Sequence, residues 1–274
     1  MSTAYPPPVA RLLELGEEHA TTRWMDYLAL GLGPEHAPDL VRMATDDALN
    51  QADDEGPETW APMHAWRALG QLRAAEAVEP LLELAGKLED ELFTEPELAT
   101  VFGMIGRAAI PPLARVLADD SQSQALHALA VHGRDEIAAR DESTRDEVVP
   151  PLVSRLEKWE RNSEVVNAYL VDALTEMQVL EAAPLMEQAF AAGRVDLLMR
   201  GDWEDVQEDL GLIEERPDPG ERGGGLQGSI HAMREALDEG GWTPPPAPPR
   251  TRDQAKKPKR KQQKESRRRN RRHR

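Results

Sequence analysis

Up to about residue 215, apolar residues recur at helical spacing, three or four apart, in short blocks separated by Gly, Pro or acidic stretches. Five blocks share one pattern: HAPDLVRMA (36–44), AVEPLLELA (77–85), AIPPLARVLA (109–118), VVPPLVSRLE (148–157) and AAPLMEQAFA (182–191). Each reads as a helix start. Proline is tolerated in a first turn because the N–H it lacks would have no partner there. Aligning the first leucines places Leu40, Leu81, Leu113, Leu152 and Leu185 at one repeated core position, at intervals of 41, 32, 39 and 33 residues. A period of that size is the length of one helix–turn–helix unit.

A second helix is expected upstream of each start: TRWMDYLALGLG (22–33), ETWAPMHAWRALGQL (58–72), ELATVFGMIG (97–106), SQALHALAVHG (123–133) and VVNAYLVDALTEM (165–177). Gly31 or Gly33, Gly70, Gly106 and Gly133 lie near four of their ends and suit the left-handed residue that closes a helix. Arg134–Glu147 reads as an insertion between two elements.

The segment HAWRALGQLRAAEAVEPLLELA (64–85) resembles the short HEAT-like repeat of the phycobilisome-lyase type, and 101–118 resembles it well. The resemblance covers roughly residues 20–195 and is looser over 126–157. It implies an all-α fold, a right-handed α-solenoid of about five HEAT-like hairpins, in a class that mostly binds other macromolecules. Val9–Glu18 is expected to cap one end. GDWEDVQEDLGLIEE (201–215) is expected to cap the other, with Trp203, Val206, Leu210 and Ile213 on one face.

The expected organisation is a disordered start (1–8), the solenoid (9–215), a Gly/Pro-rich linker (216–251) with a short amphipathic helix near 229–239, and a disordered basic tail (252–274). Charge sharpens that division. The net charge of -17 combines a tail holding 13 Lys+Arg against Asp253 and Glu265, net +11, with a remainder of 20 bases and 48 acids, net -28. Such asymmetry signals interaction and says nothing of fold. The tail cations Lys256, Lys257, Lys259, Arg260, Lys261, Lys264, Arg267, Arg268, Arg269, Arg271, Arg272 and Arg274 form a candidate polyanion-binding segment for RNA or the ribosome. With no aromatic there apart from His273, base stacking and sequence specificity are not expected.

Candidate chemistry is sparse. There is no cysteine, so neither disulfides nor thiolate sites arise. His127 and His132 are five apart and diverge on a helix; the other histidines are scattered, with no metal-ligand spacing. Gly223–Gly225 reads as a linker. Acids at 46–47, 53–55, 89–91, 119–120 and 204–209 read as solvated faces, although acids lining an inner groove would attract a basic partner. Five of the six tryptophans (24, 60, 66, 159, 203 and 242) fall on expected helices and read as packing residues. No catalytic residue, cofactor or metal is assigned. No apolar run of about 20 residues stands out, and Met1–Ala10 lacks the pattern of a signal peptide, so a cytoplasmic protein without a membrane role is expected.

The expected function is a non-enzymatic scaffold whose acidic groove holds a protein partner while the tail contacts RNA or another polyanion. One alternative is a HEAT-type enzyme, either bilin lyase-like or nucleic-acid-modifying. The latter would need Arg11, Arg23, Arg42, Arg67, Arg73, Arg107, Arg115 and Arg155 in one concavity. Another is a self-regulated binder with its tail latched on the acidic body.

Overall fold

The computed structural model describes residues 5–17, 24–52, 56–88 and 94–214. The expected linker, its amphipathic helix and the basic tail lie outside the described residues. Every regular element among those described is helical: α1 (Ala37–Ala44), α2 (Asp47–Asn50), α3 (Ala61–Leu72), α4 (Val78–Lys87), α5 (Thr94–Ile105), α6 (Ile110–Ala118), α7 (Gln124–Arg140), α8 (Arg145–Leu156), α9 (Glu164–Glu176), α10 (Ala183–Ala191), α11 (Leu197–Arg200) and α12 (Trp203–Asp209). The chain divides into two compact units, residues 1–151 and 152–274, and the division falls within α8.

The local logic follows the proline pattern. Proline occupies the first or second position of α1, α3, α6 and α10. A short 3-10 turn feeds α4 (Ala75–Ala77), α6 (Gly106–Ala109), α8 (Glu142–Thr144) and α10 (Leu180–Ala182). The chain turns into three of these through a left-handed residue: Arg73 (φ 53°), Gly106 (φ 79°) and Gln178 (φ 52°). Only Gly106 matches the expected closing glycines of these helix pairs. Gly31 (φ 89°) closes the 3-10 turn Leu28–Leu30.

Gly70 and Gly133 serve a different purpose, since they sit inside helices where neighbours come close. A Cβ on Gly70 would lie 3.4 Å from the Val101 Cα, and one on Gly133 would lie 3.2 Å from Leu113 Cδ1 and 3.4 Å from Phe102 Cδ2. Gly103 is tighter still: its Cβ would stand 2.7 Å from Glu136 Cβ and 3.2 Å from the Glu136 backbone carbon. In the first unit α1 packs on α3, α3 on α5 and α5 on α7, with α4 against α1, α5 and α7, and α6 against α7. The α5–α7 contact is the most extensive of these.

Burial is shared by four of the five aligned leucines. Leu40, Leu81, Leu113 and Leu152 are fully buried, each removing side-chain area worth about 1.5–3 kcal/mol. Each has a buried apolar partner one turn back: Ala37, Val78, Ile110 and, four residues before Leu152, Val148. In α10 that pairing falls on Ala183 and Met186, and Leu185 is only half-buried. The last block is therefore displaced by one residue from an alignment on first leucines, because the helix buries positions 183, 186 and 189.

Three other expectations change. Residues 24–33 form no α-helix: Trp24–Asp26 is irregular and Leu28–Leu30 is a 3-10 turn. Gly31, Gly33 and Pro34 deny this segment a regular continuation, and side chains of α3 pin it instead. The Tyr27 N–H donates to Gln71 Oε1 (2.8 Å), and Gln71 Nε2 donates to the Met25 carbonyl (2.8 Å). The expected insertion after Gly133 begins as helix, since α7 runs unbroken to Arg140. Finally, Pro96–Ala118 has the length and mean hydropathy (1.3) of a membrane-crossing helix. It turns at Gly106, and its apolar residues Leu98, Val101, Phe102, Ile110 and Leu113 are buried in the first unit.

In the second unit α11 and α12 pack on α9. Buried Asn167 ties the segments on either side together, its Nδ2 donating to the carbonyls of Trp159 (2.9 Å) and Arg194 (2.7 Å) and its Oδ1 accepting from Asn162 Nδ2 (2.8 Å). The expected cap face of α12 is half realised: Val206 and Leu210 are buried and Trp203 packs against Phe190 in a tilted arrangement with ring centroids 5.7 Å apart, whereas Ile213 is exposed. At the other end of the described chain, Val9–Glu14 is a 3-10 turn burying Val9 and Leu12.

Gly103→Ala is expected to cost about 1–3 kcal/mol in a urea unfolding titration, because α7 must move to admit a methyl group. Gly86→Ala, where the new Cβ meets only Leu126 Cδ1 at 3.5 Å near the end of α4, is expected to raise stability by about 0.5 kcal/mol.

Candidate functional site

The side chains with the most chemical potential are withdrawn into the first unit. His64 is fully buried. Its Nε2 faces the Gly16 carbonyl at 3.0 Å and its Nδ1 faces the Tyr27 hydroxyl at 2.7 Å. A carbonyl only accepts, so Nε2 carries the proton, and in the neutral ring Nδ1 accepts from Tyr27. Burial pushes the Tyr27 phenol up to about 12, against the pull of Arg67. Arg67, also buried, meets Glu97 through two parallel bonds (2.7 and 2.5 Å), with the Trp24 ring 5.0 Å away. Burial opposes its charge, but the bonds to Glu97 outweigh that and hold its pKa above the ordinary value. The cluster fastens Gly16 and Trp24–Tyr27 to α3 and α5.

Arg134 is a second buried cation, with no accessible surface. Its guanidinium donates to the carbonyls of Ile110 (3.0 Å), Val148 (2.7 and 3.0 Å) and Glu147. The Glu147 carbonyl would ordinarily accept from the residue four positions on, but that residue is Pro151, which has no N–H. Arg134 supplies the missing donor. Burial pushes its pKa down to about 10, partly offset by Glu147.

Two open cavities of this unit are lined by described residues. The larger, about 830 Å³, lies at the C-terminal ends of α3, α5 and α7. Its lining includes Trp24, Met104 and Ile137 together with Arg73, Arg107 and Arg140. Arg107 is paired with Glu147 and Asp141, and Arg140 with Glu136. Arginines at helix C-termini answer the exposed carbonyls there. The smaller, about 500 Å³, is a groove between α4 and α6, closed at one end by Gln122 and Leu126. Leu82, Gly86, Pro112, Val116 and Leu126 form its apolar lining, and Glu79, Glu83, Arg115 and Asp119 its charged rim. Glu79 is paired with Arg115. Asp119 lies well below the usual carboxylate range, at about 2, because the Ser121 hydroxyl, the Gln122 amide and the Ser121 N–H bond to it.

The tail cations 256–274 lie outside the described residues, as do Arg23 and the acids at 53–55 and 89–91. The arginines that a nucleic-acid-modifying concavity would need are distributed. Arg67 and Arg155 are buried. Arg42 is bound to Asp39 and lies over the Tyr5 ring, Arg115 is bound to Glu79, and Arg11 donates to the Leu30 carbonyl. Of the eight, Arg73 and Arg107 share a cavity. Several acids act as helix caps, a use their spacing could have signalled. Asp46 accepts from Ala48 and Leu49, Asp196 from Leu198 and Met199, and Asp202 from Glu204 and Asp205. Among the described residues no group of three or more His, Asp or Glu is placed to hold a metal.

Arg134→Met leaves the Glu147 carbonyl without a donor and removes the bonds to the Ile110 and Val148 carbonyls, and is expected to lower stability by about 3 kcal/mol or more. Adding Pro151→Ala, which restores an N–H for the Glu147 carbonyl, is expected to recover part of that loss in the same urea titration. The Asp119 carboxyl is depressed in the folded state, so its contribution is complete above about pH 4 and disappears as pH falls through about 2. The stability gap between wild type and Asp119→Asn should shrink over that window, and a constant gap would show that the bonds do not depend on the charge.

Among protein-family models, curated proteins and solved structures, none matches this chain.

Proposed function

We propose that the protein is a non-enzymatic macromolecule-binding scaffold, a HEAT-like α-solenoid in the cytoplasm that holds a protein partner on its acidic body and contacts RNA or another polyanion through residues 252–274. The observation that carries this reading is where the reactive groups lie. His64, Tyr27, Arg67 and Arg134 are spent on fastening helices together, while the open grooves are lined by apolar side chains, Trp24 among them, with charged rims. Recurrence of the buried pairs Ala37/Leu40, Val78/Leu81 and Ile110/Leu113 supports the repeat assignment. The charge division supports two binding modes in one chain, since linked sites raise each other's effective concentration.

Affinity purification of the intact chain and of a variant lacking residues 252–274, each with and without nuclease, tests both halves. The intact chain should retain nuclease-sensitive and nuclease-resistant partners, and the truncated chain only the resistant ones. The affinity of the intact chain for single-stranded RNA should fall with salt, by about 0.7 in log–log slope per engaged cation. Identical captures with and without the tail would remove the polyanion role. Loss of every resistant partner would remove the scaffold role.

A further inference from the structure

We propose that the groove between α4 and α6 is a docking site for a Lys/Arg-rich peptide segment of a partner protein, with basic side chains laid along its apolar lining and their charges held at its acidic rim. The proposal rests on the scaffold reading and names the chemistry of the partner.

The groove's two kinds of surface fit one kind of side chain. Leu82, Pro112, Val116 and Leu126 offer aliphatic contact, and Gly86 leaves the wall low where α4 ends. Lysine and arginine carry three- or four-carbon stems that pack on such surface while the charged head stays wet. The rim carries Glu79, Glu83 and Asp119 against the single cation Arg115, a net of two negative charges. These carboxylates are not equivalent. Glu79 already holds Arg115, and Asp119 has its oxygens taken by Ser121 and Gln122. Glu83, exposed on α4, stands over the lining with no hydrogen bond or ion pair among the described residues, so it is the carboxylate available to a guest ammonium or guanidinium. An anionic or wholly apolar guest would leave that charge unanswered or repelled. The groove's volume of about 500 Å³ is within the range of ordinary ligand sites, roughly 300–1,000 Å³.

The test is a fluorescence-anisotropy titration of a labelled dodecapeptide of Lys, Arg and Leu with the intact chain at low ionic strength. Variants are Glu83→Lys at the rim and Glu187→Lys on exposed α10, which change net charge equally. Carbodiimide coupling of peptide lysines to protein carboxylates, read by mass spectrometry, locates the site independently of any substitution. Binding should weaken about tenfold in Glu83→Lys and less than twofold in Glu187→Lys, with coupling concentrated on Glu83 and Glu79. Equal weakening in the two variants would reduce the effect to net charge and overturn the proposal. So would coupling confined to other carboxylates. Binding that appears only after residues 252–274 are removed would assign the groove to the chain's own tail, and would equally overturn it. Partner capture that survives in Glu83→Lys together with unchanged peptide binding would leave the scaffold reading standing while this site falls.

Discussion

A proline beyond the first turn of a helix removes an N–H that the carbonyl four residues back would have used. In α8 the deficit falls on the Glu147 carbonyl, because Pro151 has no N–H to answer it. Arg134 answers it from α7 and at the same time reaches Ile110 at the head of α6. One side chain therefore fixes where α6 and α8 begin relative to α7. The burial of a full positive charge is tolerated because its donors meet carbonyl oxygens, whose partial negative charge replaces water. The remaining packing of the first unit is built around that anchorage.

Arg67 solves a related problem with a different partner. It brings α3 and α5 together through Glu97, and a ring from the preceding irregular segment closes over it. Together with His64 and Tyr27 it makes a polar seam through an otherwise aliphatic interior. Groups that would suggest catalysis in an open pocket act here as directional fasteners. Aliphatic contacts alone permit small sliding of one helix on another, whereas hydrogen bonds to fixed atoms define a single register.

Much of this was legible in the residues. The helix starts could be read because proline, apolar spacing and the 3-10 turn coincide there. The core leucines could be read because each has an apolar partner one turn back, and where that partner is displaced, as at Ala183 and Met186, the alignment slips. What could not be read was long-range. Nothing local says that Gly103 faces Glu136, that Gly70 and Gly133 are contact points and not terminators, or that Arg73 and Gln178 accept the left-handed conformation. The segment 24–33 misled because its apolar spacing suits a helix, although its burial is achieved by Tyr27 and by bonds to Gln71. The groove between α4 and α6 joins residues from two blocks and the turn after them, so it exists only once those blocks are packed.

The approach of α5 to α7 at Gly103 has an implication for how such a chain can lengthen. A duplicated copy of one helix pair would bring Gly103 but not the turn of α7 around Glu136 that it must meet. Growth by copying would therefore succeed only when the unit copied is an interface, one half from each neighbour, and module exchange between chains of this kind would have to cut through the middle of helices and not at the loops.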